Sequence, residues 1–370
     1  MSAAGAPLRV LHTESSLGWG GQEIRVLTEA RGVARRGNEV LLAAPRESRI
    51  YAEAVRYGII ALPLPIARKG LVGPFALRVL FGRRRFDVVN THSSTDSWCA
   101  AIACATMGSA PPLVRTRHIS APAPRNAATR WLYTRAAARI VTTGEKLRRQ
   151  VIEETGAAEA NVLSIPTGID LERFRPADRG AARAALGLAR DGLLIGIVAT
   201  LRSWKGHRHL LAAFAALPRS DVRLVIVGDG PQRAALEALA VELALGERVR
   251  FAGNQAEVAP WMQALDVFCL PSYANEGVPQ ALMQAMACGL PVVTTPVGSI
   301  EEIVANGVTG VLVPPEDPAR LREALAGLLA DAPRREALGR SARAAALERF
   351  GEERMVERML EVFRAVARRG

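Results

Sequence analysis

The chain has few of the residues that most often announce chemistry on their own, with four cysteines and five histidines among 370 residues. Cys99, Cys104, Cys269 and Cys288 stand in apolar settings without metal-ligand spacing. No zinc module or disulfide framework is therefore expected, and they read as reduced, buried thiols of a cytoplasmic protein. No apolar run reaches the roughly eighteen residues that a membrane-spanning helix needs. The N-terminal MSAAGAPLRVLHTE enters a strand almost at once and has no signal-peptide core. GxSxG, a Walker loop and a Cys/His nucleophile arrangement are missing. So is any Asp-x-Asp pair to hold a divalent metal on a diphosphate. Aromatic residues make up 5% of the chain and form no ordered stacking platform, so only net charge argues for nucleic acid.

What is present suits a folded protein of two domains. The chain is 49% apolar and 23% charged, and 370 residues can bury two cores. Residues 1–170 hold 23 Lys/Arg against 13 Asp/Glu, whereas the remainder holds 25 against 23, so the net charge of +12 sits mostly in the first half. A basic half implies an anionic partner, whether nucleic acid, anionic lipid or a phosphorylated acceptor. The competing explanation is an Arg- and Ala-rich composition set by a GC-rich genome.

Strand-like runs at 8–14, 39–44, 59–64, 87–91, 113–116, 139–143 and 161–165 alternate with helical segments. A second alternating series follows, with strands at 193–199, 222–227, 248–252, 266–270 and 291–294. The alternation predicts an α/β protein of two doubly wound parallel-sheet domains facing each other across a cleft. Pro166–Arg190, rich in Pro, Gly, Asp and Arg, reads as the linker. The domains are then 1–170 and 171–350, followed by a helix over 351–370. From Pro318 the chain is helical in three segments reaching Arg368.

The organising stretch is Pro271–Pro296, PSYANEGVPQALMQAMACGLPVVTTP. It places a polar turn, Ser272–Gly277, between a strand and a helix starting near Val278. In an open parallel sheet that is the carboxyl edge, where ligands bind. Glu276 and the amides of the helix start face one place, with amides for a phosphate and a carboxylate for sugar hydroxyls. Alternatively, Glu276 caps its own helix. Arg202 and Lys205 fall at the strand-to-helix junction opening the second domain, where two cations can neutralise a diphosphate. The helix dipole disfavours cations there unless an anion is bound. Gly228 and Gly230, in VIVGDGP, either bring backbone close to a ligand or form a plain turn. Gly20 and Gly21, in LGWGGQ, offer the same two readings, and GxGxxG is not formed.

His118 ends the fifth strand, placed to hydrogen-bond a sugar hydroxyl or to act as acid or base. His12 and His92 compete for that role, and a purely structural histidine is the alternative. His207 and His209 lie two apart on a helix, the wrong spacing for a zinc site. The segment Thr129–Arg139, with Trp131, Leu132 and Tyr133 among arginines, forms with Arg83–Arg85 and Arg148-Arg149 either a lipid-docking face or a solvated face over a buried Trp.

Taken together these residues resemble the family-4 retaining glycosyltransferases of the GT-B fold. The match runs through Glu276-Gly277-Val278-Pro279-Gln280, Met283–Ala287, Gly289 and Pro291–Val293. It extends to Gly20–Gln22, His118, Ile165–Asp170, Arg202 with Lys205-Gly206, and Gly228–Pro231. The resemblance implies that Glu276 contacts the donor sugar, and that Gly277, Val278, Pro279 and Gln280 bind sugar and phosphate. It implies that Arg202 and Lys205 hold the diphosphate, that His118 contacts the reacting sugar, and that Gly20, Gly21 and Gln22 line the phosphate and acceptor side. It implies no metal or other cofactor. It also implies a C-terminal helix, 351–368, that crosses back to the first domain. Two departures stand out. Gln284 replaces the usual second glutamate, which accepts hydrogen bonds from the nucleotide ribose, and Pro279 replaces a glycine.

The expected activity is transfer of a sugar, UDP-linked by family preference, onto a glycolipid or polysaccharide of the lipopolysaccharide or exopolysaccharide type. The expected setting is the anionic inner face of the cytoplasmic membrane, without nucleic acid as partner. A sugar-nucleotide epimerase and a catalytically silent sugar-nucleotide-binding scaffold are the alternatives.

Overall fold

The computed structural model describes residues 6–274 and 276–367. Residues 1–5, Asn275 of the turn and the segment from Arg368 lie outside the described residues. The chain forms two compact units, Met1–Gly168 with Glu352–Gly370, and Ile169–Gly351.

The first unit carries seven parallel strands: β1 (Arg9–Thr13), β2 (Glu39–Ala44), β3 (Ile60–Pro63), β4 (Val88–Thr91), β5 (Leu113–Arg117), β6 (Ala137–Thr142) and β7 (Val162–Ser164). Their order across the sheet is β3-β2-β1-β4-β5-β6-β7. Helices cover both faces, so the central strands are buried on both sides and read as near-continuous apolar runs. One core holds Val10, Val88, Val114 and Val141, and the other Leu11, Val89, Leu113 and Ile140. Alternate residues of one strand thus feed opposite layers.

The chain's last helix, Glu352–Ala367, completes the first of these cores. Met355, Val356, Met359, Leu360 and Phe363 are buried in it. The helix lies against Gly21–Arg35 at close range, because Gly32 leaves room for Val356; a Cβ on Gly32 would stand 2.4 Å from the valine side chain. Arg31 adds a two-pronged contact to Glu352 at 3.1 and 3.0 Å.

The second unit has six parallel strands: β8 (Leu193–Val198), β9 (Val222–Val227), β10 (Val249–Gly253), β11 (Val267–Leu270), β12 (Val292–Thr294) and β13 (Val311–Leu312). They are ordered β10-β9-β8-β11-β12-β13 over a single large core. The two-residue β13 is too short to carry a sequence signal.

Three segments differ from the sequence reading. The stretch read as linker contains a helix, Arg179–Ala185, docked by charge: Arg183, 4% exposed, donates to Asp266 at 2.6 Å and to the Ala264 carbonyl at 3.0 Å. It begins at Asp178, whose side chain accepts from the Ala181 amide at 2.9 Å. The segment Thr129–Arg139 is no continuous element: it starts inside a short α-helix, Ala127–Trp131, followed by a π turn, Leu132–Ala136. Strand β6 starts immediately afterwards. Of the cations grouped there as a docking face, Arg148 is bound to Glu145 at 2.7 Å and Glu159 at 2.9 Å, and Arg84 pairs with Glu39. Leu132 and Tyr133 are buried, and Trp131 stacks on Trp98 with ring centroids 6.1 Å apart.

Candidate active site

In an open α/β sheet the crevice forms where neighbouring strands send their connections to opposite sides, beyond the carboxyl ends. In the second unit that switch point lies between β8 and β11. After β8 the chain passes Arg202, makes one 3-10 turn, Ser203–Lys205, and enters the helix His207–Ala215 through Gly206. Gly206 has φ +76°, and a Cβ on it would stand 1.9 Å from the Pro271 carbonyl oxygen, so only glycine allows this approach to the loop after β11. The Tyr273 amide donates to the Trp204 carbonyl at 2.8 Å and ties the loops together.

This packing sets Lys205 Nζ 2.6 Å from Glu276 Oε1, and Ser272 Oγ donates to the same oxygen at 2.6 Å. Glu276 is 4% exposed, whereas one-fifth of the Lys205 side chain (20%) reaches solvent. The carboxylate is therefore a fixed acceptor held by an ammonium and a hydroxyl. Arg202 is exposed, its guanidinium 5.7 Å from the centroid of the Trp204 ring. Gly298 (φ +63°) presses from the other side; a Cβ there would stand 2.0 Å from the Glu276 carbonyl oxygen.

Gly277, Val278 and Pro279 lead into the helix Gln280–Ala287, whose N-cap residue, Pro279, contributes no side-chain cap. Gln284 lies half-buried on that helix. Gly228 and Gly230 have a packing reason to be glycine. A Cβ on Gly228 (φ +135°) would stand 2.0 Å from the Ala199 carbonyl oxygen, and one on Gly230 2.7 Å from that of Leu201. His207 is buried with neither ring nitrogen hydrogen-bonded. Burial and then Lys205 push its pKa down to about 3, so it is neutral.

In the first unit the switch point falls between β1 and β4, and three imidazoles line up beside it. His12 Nδ1 lies 2.9 Å from His92 Nε2, and His92 Nδ1 lies 3.0 Å from His118 Nε2. His12 and His92 stack with centroids 5.2 Å apart, and Phe363 of the last helix packs edge-on at 6.1 Å. Burial pushes the pKa of His12 down to about 3. Burial, reinforced by neighbouring positive charge, also holds His92 and His118 well below the ordinary imidazole value. His118 is therefore a neutral hydrogen-bonding group and not a reservoir of protons at neutral pH. Below these rings Glu29 accepts from Asn90 at 2.9 Å and lies 3.7 Å from Arg25, both charged side chains fully buried.

Two carboxyls beside this line escaped the sequence reading. Glu14, just beyond β1, accepts from Gln22 Nε2 at 2.6 Å, from the Ser16 amide at 2.8 Å and from Ser93 Oγ. Asp96 accepts from Thr13 Oγ1 at 2.7 Å, from the His92 amide at 2.9 Å and from the Ser93 amide at 2.8 Å. Burial and then the Asp96 charge push Glu14 up to about 8, and burial raises Asp96 to about 6. The available signal was the Ser93-x-x-Asp96 spacing of a capping box. Gln22 thus spends its amide on Glu14 and on Ser93 Oγ at 2.9 Å. Gly20 stands in extended backbone at the head of the helix Gly21–Arg35, and a Cβ there would meet nothing closer than a Glu23 carboxylate oxygen at 3.7 Å. The fold of this unit does not itself require glycine at that position.

Two parallel-sheet units of this kind are the architecture of GT-B glycosyltransferases. Residues 178–345 match the family of glycosyl transferases group 1, and residues 19–173 match Glycosyltransferase Family 4. A curated relative, the D-inositol 3-phosphate glycosyltransferase 1 of Catenulispora acidiphila, is 32% identical over 95% of this chain and 92% of its own. The chain belongs to the group 1, family 4 glycosyltransferases. Among solved structures, a glycosyltransferase from Rickettsia africae gives a TM-score of 0.88 at 17% identity, covering 98% of this chain and 99% of its own. The Anabaena HepE protein in complex with UDP-glucose gives 0.84 at 22% identity, covering 97% and 100%. At these identities the two structures speak for the fold alone.

Proposed function

We propose that the protein is a retaining, metal-independent transferase that moves a sugar from a nucleotide-sugar to a phosphate-bearing or lipid-borne acceptor. The observation that carries this reading is the Lys205–Glu276–Ser272 cluster at the switch point of the second unit. An ammonium and a fixed carboxylate sit together there, beside the start of a helix. In this reading Lys205 and Arg202, with the amides of Gly277, Val278 and Gln280, stabilise the charge that grows on a departing diphosphate. Glu276 orients the donor sugar through its hydroxyls, and Gln284 offers its carbonyl to the ribose. Because Glu276 Oε1 already accepts from Lys205 and Ser272, the acceptor's proton is assigned to a departing phosphate oxygen and not to this carboxylate. Attack from the face the diphosphate leaves then retains configuration. His118, held neutral, serves as a hydrogen-bonding group for a sugar hydroxyl, and Gly20, Gly21 and Gln22 belong to the acceptor side.

UDP-glucose, the ligand of the Anabaena structure, is the first donor to try. For the acceptor we favour a glycolipid or growing polysaccharide of the cell envelope, reached by a protein peripheral to the inner membrane face, since the basic residues are concentrated in the first unit. The names of the curated relatives support a second reading, in which the acceptor is a small phosphorylated polyol such as D-inositol 3-phosphate.

A thermal-shift panel of UDP-, GDP- and ADP-sugars with EDTA present, followed by an assay of diphosphate release, tests the donor. Stabilisation by one nucleotide class with slow metal-free release is expected. A shift without diphosphate release would leave a catalytically silent sugar-nucleotide-binding scaffold, epimerised sugar nucleotide without transfer would leave an epimerase, and no shift with any of them would overturn the nucleotide-sugar reading. Adding D-inositol 3-phosphate or a lipid acceptor to the productive donor then separates the two acceptor readings.

A further inference from the structure

The first unit holds a cavity of about 340 Å³ that the transferase reading has not used. It opens where the loop after β3, the start of the helix Ser94–Ala105 and the loop after β5 come together. Its wall includes Pro74, Trp98, Cys99, Ile102 and Pro124, with Lys69 at one side. Trp98 stacks on Trp131, which stiffens that wall. The helix Val72–Arg83, which contributes Pro74, turns Leu71 (82% exposed), Val72 (67%) and Phe75 (68%) outward within about one turn. Ile102, on the cavity wall, is also exposed. Singly exposed apolar side chains need no explanation, but a group adjoining the lining residues Gly70 and Pro74 of an apolar cavity does.

Charge selects the occupant. The chain has no Asp or Glu between Glu53 and Asp87, and none between Asp96 and Glu145, and these two stretches supply almost the whole cavity wall. Arg68, Lys69, Arg125 and Arg130 are exposed on them. One carboxylate stands beside the wall, Glu154, which accepts from the Ala123 amide at 2.8 Å next to Pro124. Four exposed cations outweigh it, and apolar side chains with such an excess of positive charge complement a membrane leaflet that is anionic at its surface and hydrocarbon below.

We infer that this cavity receives a hydrocarbon chain from an anionic membrane leaflet, with Leu71, Val72 and Phe75 inserted around it and Arg68 and Lys69 on the headgroups. The inference rests on the reading of the acceptor as lipid-borne. It assigns the lipid contact to the start of the helix Val72–Arg83, in place of the segment Thr129–Arg139, whose Leu132 and Tyr133 are buried.

The test is intrinsic fluorescence of the full chain with phosphatidylglycerol/phosphatidylcholine vesicles whose acyl chains are brominated, since bromine quenches only an indole it reaches. Quenching is expected with the wild type, lost in Trp98→Phe and strongly reduced in Ile102→Glu. The Ile102→Glu side chain faces solvent, so unchanged thermal unfolding serves as the folding control. Arg68→Gln with Lys69→Gln should weaken vesicle binding by about thirtyfold. Absence of quenching in the wild type overturns the inference. So does co-sedimentation with vesicles that Ile102→Glu leaves unchanged and that produces no quenching, because adhesion by charge alone fills no cavity. UDP-glucose hydrolysis by the wild type without lipid is measured alongside. Its failure, and that of the GDP- and ADP-sugars, with quenching intact would remove the transferase reading and leave the lipid site standing.

Discussion

The two units share one scaffold, a parallel sheet with its crevice between the first strand and the strand beyond the switch, yet they furnish that crevice in opposite ways. The second unit places an ion pair there, Lys205 with Glu276, and leaves Arg202 exposed. The first places there three imidazoles held uncharged by burial and two buried carboxyls, Glu14 pushed up to about 8 and Asp96 to about 6, so that of these five groups only Asp96 carries its charge at neutral pH. A diphosphate needs charge, whereas sugar hydroxyls need directed donors and acceptors without a net field. In the proposed transferase reading the contrast is a division of labour between diphosphate and sugar, and it can be broken from either side.

The largest effect is expected from the chain's end. Ending the protein at Gly351 removes Met355, Val356, Met359, Leu360 and Phe363 from the first unit's core. At about 1.5–3 kcal/mol for each buried side chain, the loss reaches the whole of an ordinary domain's stability. The second unit is continuous and loses nothing of its own core. Hydrogen exchange should show the first unit unprotected and the second still protected; equal protection in both would contradict the assignment of this helix to the first core.

Next comes the charged crevice. Lys205→Ala or Glu276→Ala should lower kcat by about 10²- to 10³-fold, the scale for removing one preorganised group that stabilises developing charge. Circular dichroism should be unchanged, because neither side chain belongs to the core. Near-normal turnover in either variant would show that the pair is structural.

Glycines sharpen the comparison. At Gly228 (φ +135°) an added Cβ meets the Ala199 carbonyl oxygen at 2.0 Å, so Gly228→Ala should destabilise the second unit by about 1–3 kcal/mol or more. At Gly20 the backbone and the space both admit a Cβ, so Gly20→Ala should stay within about 0.5 kcal/mol. A fall in transfer rate at unchanged stability would mark Gly20 as a residue kept for a ligand.

The acid–base character of the first unit has a sign that a pH series can read. Glu14 titrates at about 8 in the folded protein against an ordinary 4.5, first because it is buried and then because Asp96 is near. Its contribution to stability is complete below the ordinary value and is lost as pH rises through about 8. Glu14→Gln removes that loss, so the variant's Tm should gain on the wild type by a few degrees, about 4 °C, between mildly acid and alkaline pH. His12 runs the other way: its folded pKa is about 3 against 6.5, so its contribution holds above 6.5 and is lost as pH falls towards 3. A Tm difference that shrank with rising pH would mean Glu14 is ionised in the fold.

Much of this was legible in the sequence, and what was not has a physical reason. Every strand except β13 shows as an apolar run, and Glu276, Arg202 and Lys205 stand out because polar groups at strand ends are local features. The helix Arg179–Ala185 did not show, because it docks through Arg183 on Asp266 and so has no apolar period. The turn at Leu132–Ala136 carries no Gly or Pro to mark the break. The imidazole line was invisible for a different reason. His12 and His92 are 80 residues apart, and only the pairing of β1 with β4 brings them to 2.9 Å.

The smallest effect is expected where this sequence departs from its family. Gln284 sits half-buried on the helix Gln280–Ala287, four residues after Gln280, and its amide has no hydrogen-bond partner among the described residues. A glutamate there would face the same space with two acceptor oxygens and no donor. A ribose presents two hydroxyls that can donate, so in the nucleotide-sugar reading Gln284→Glu should tighten UDP-glucose by a few-fold, about 1 kcal/mol or less. The diphosphate works against the gain, since a new carboxylate on the same helix repels it, and that opposition keeps the expected change small. Calorimetric titration of both proteins at two salt concentrations separates the two effects: repulsion is screened by salt, whereas a hydrogen bond to ribose is not. A large loss of affinity that persists at high salt would show that the Gln284 amide donates to the ligand, and that the substitution was selected for a different nucleotide contact.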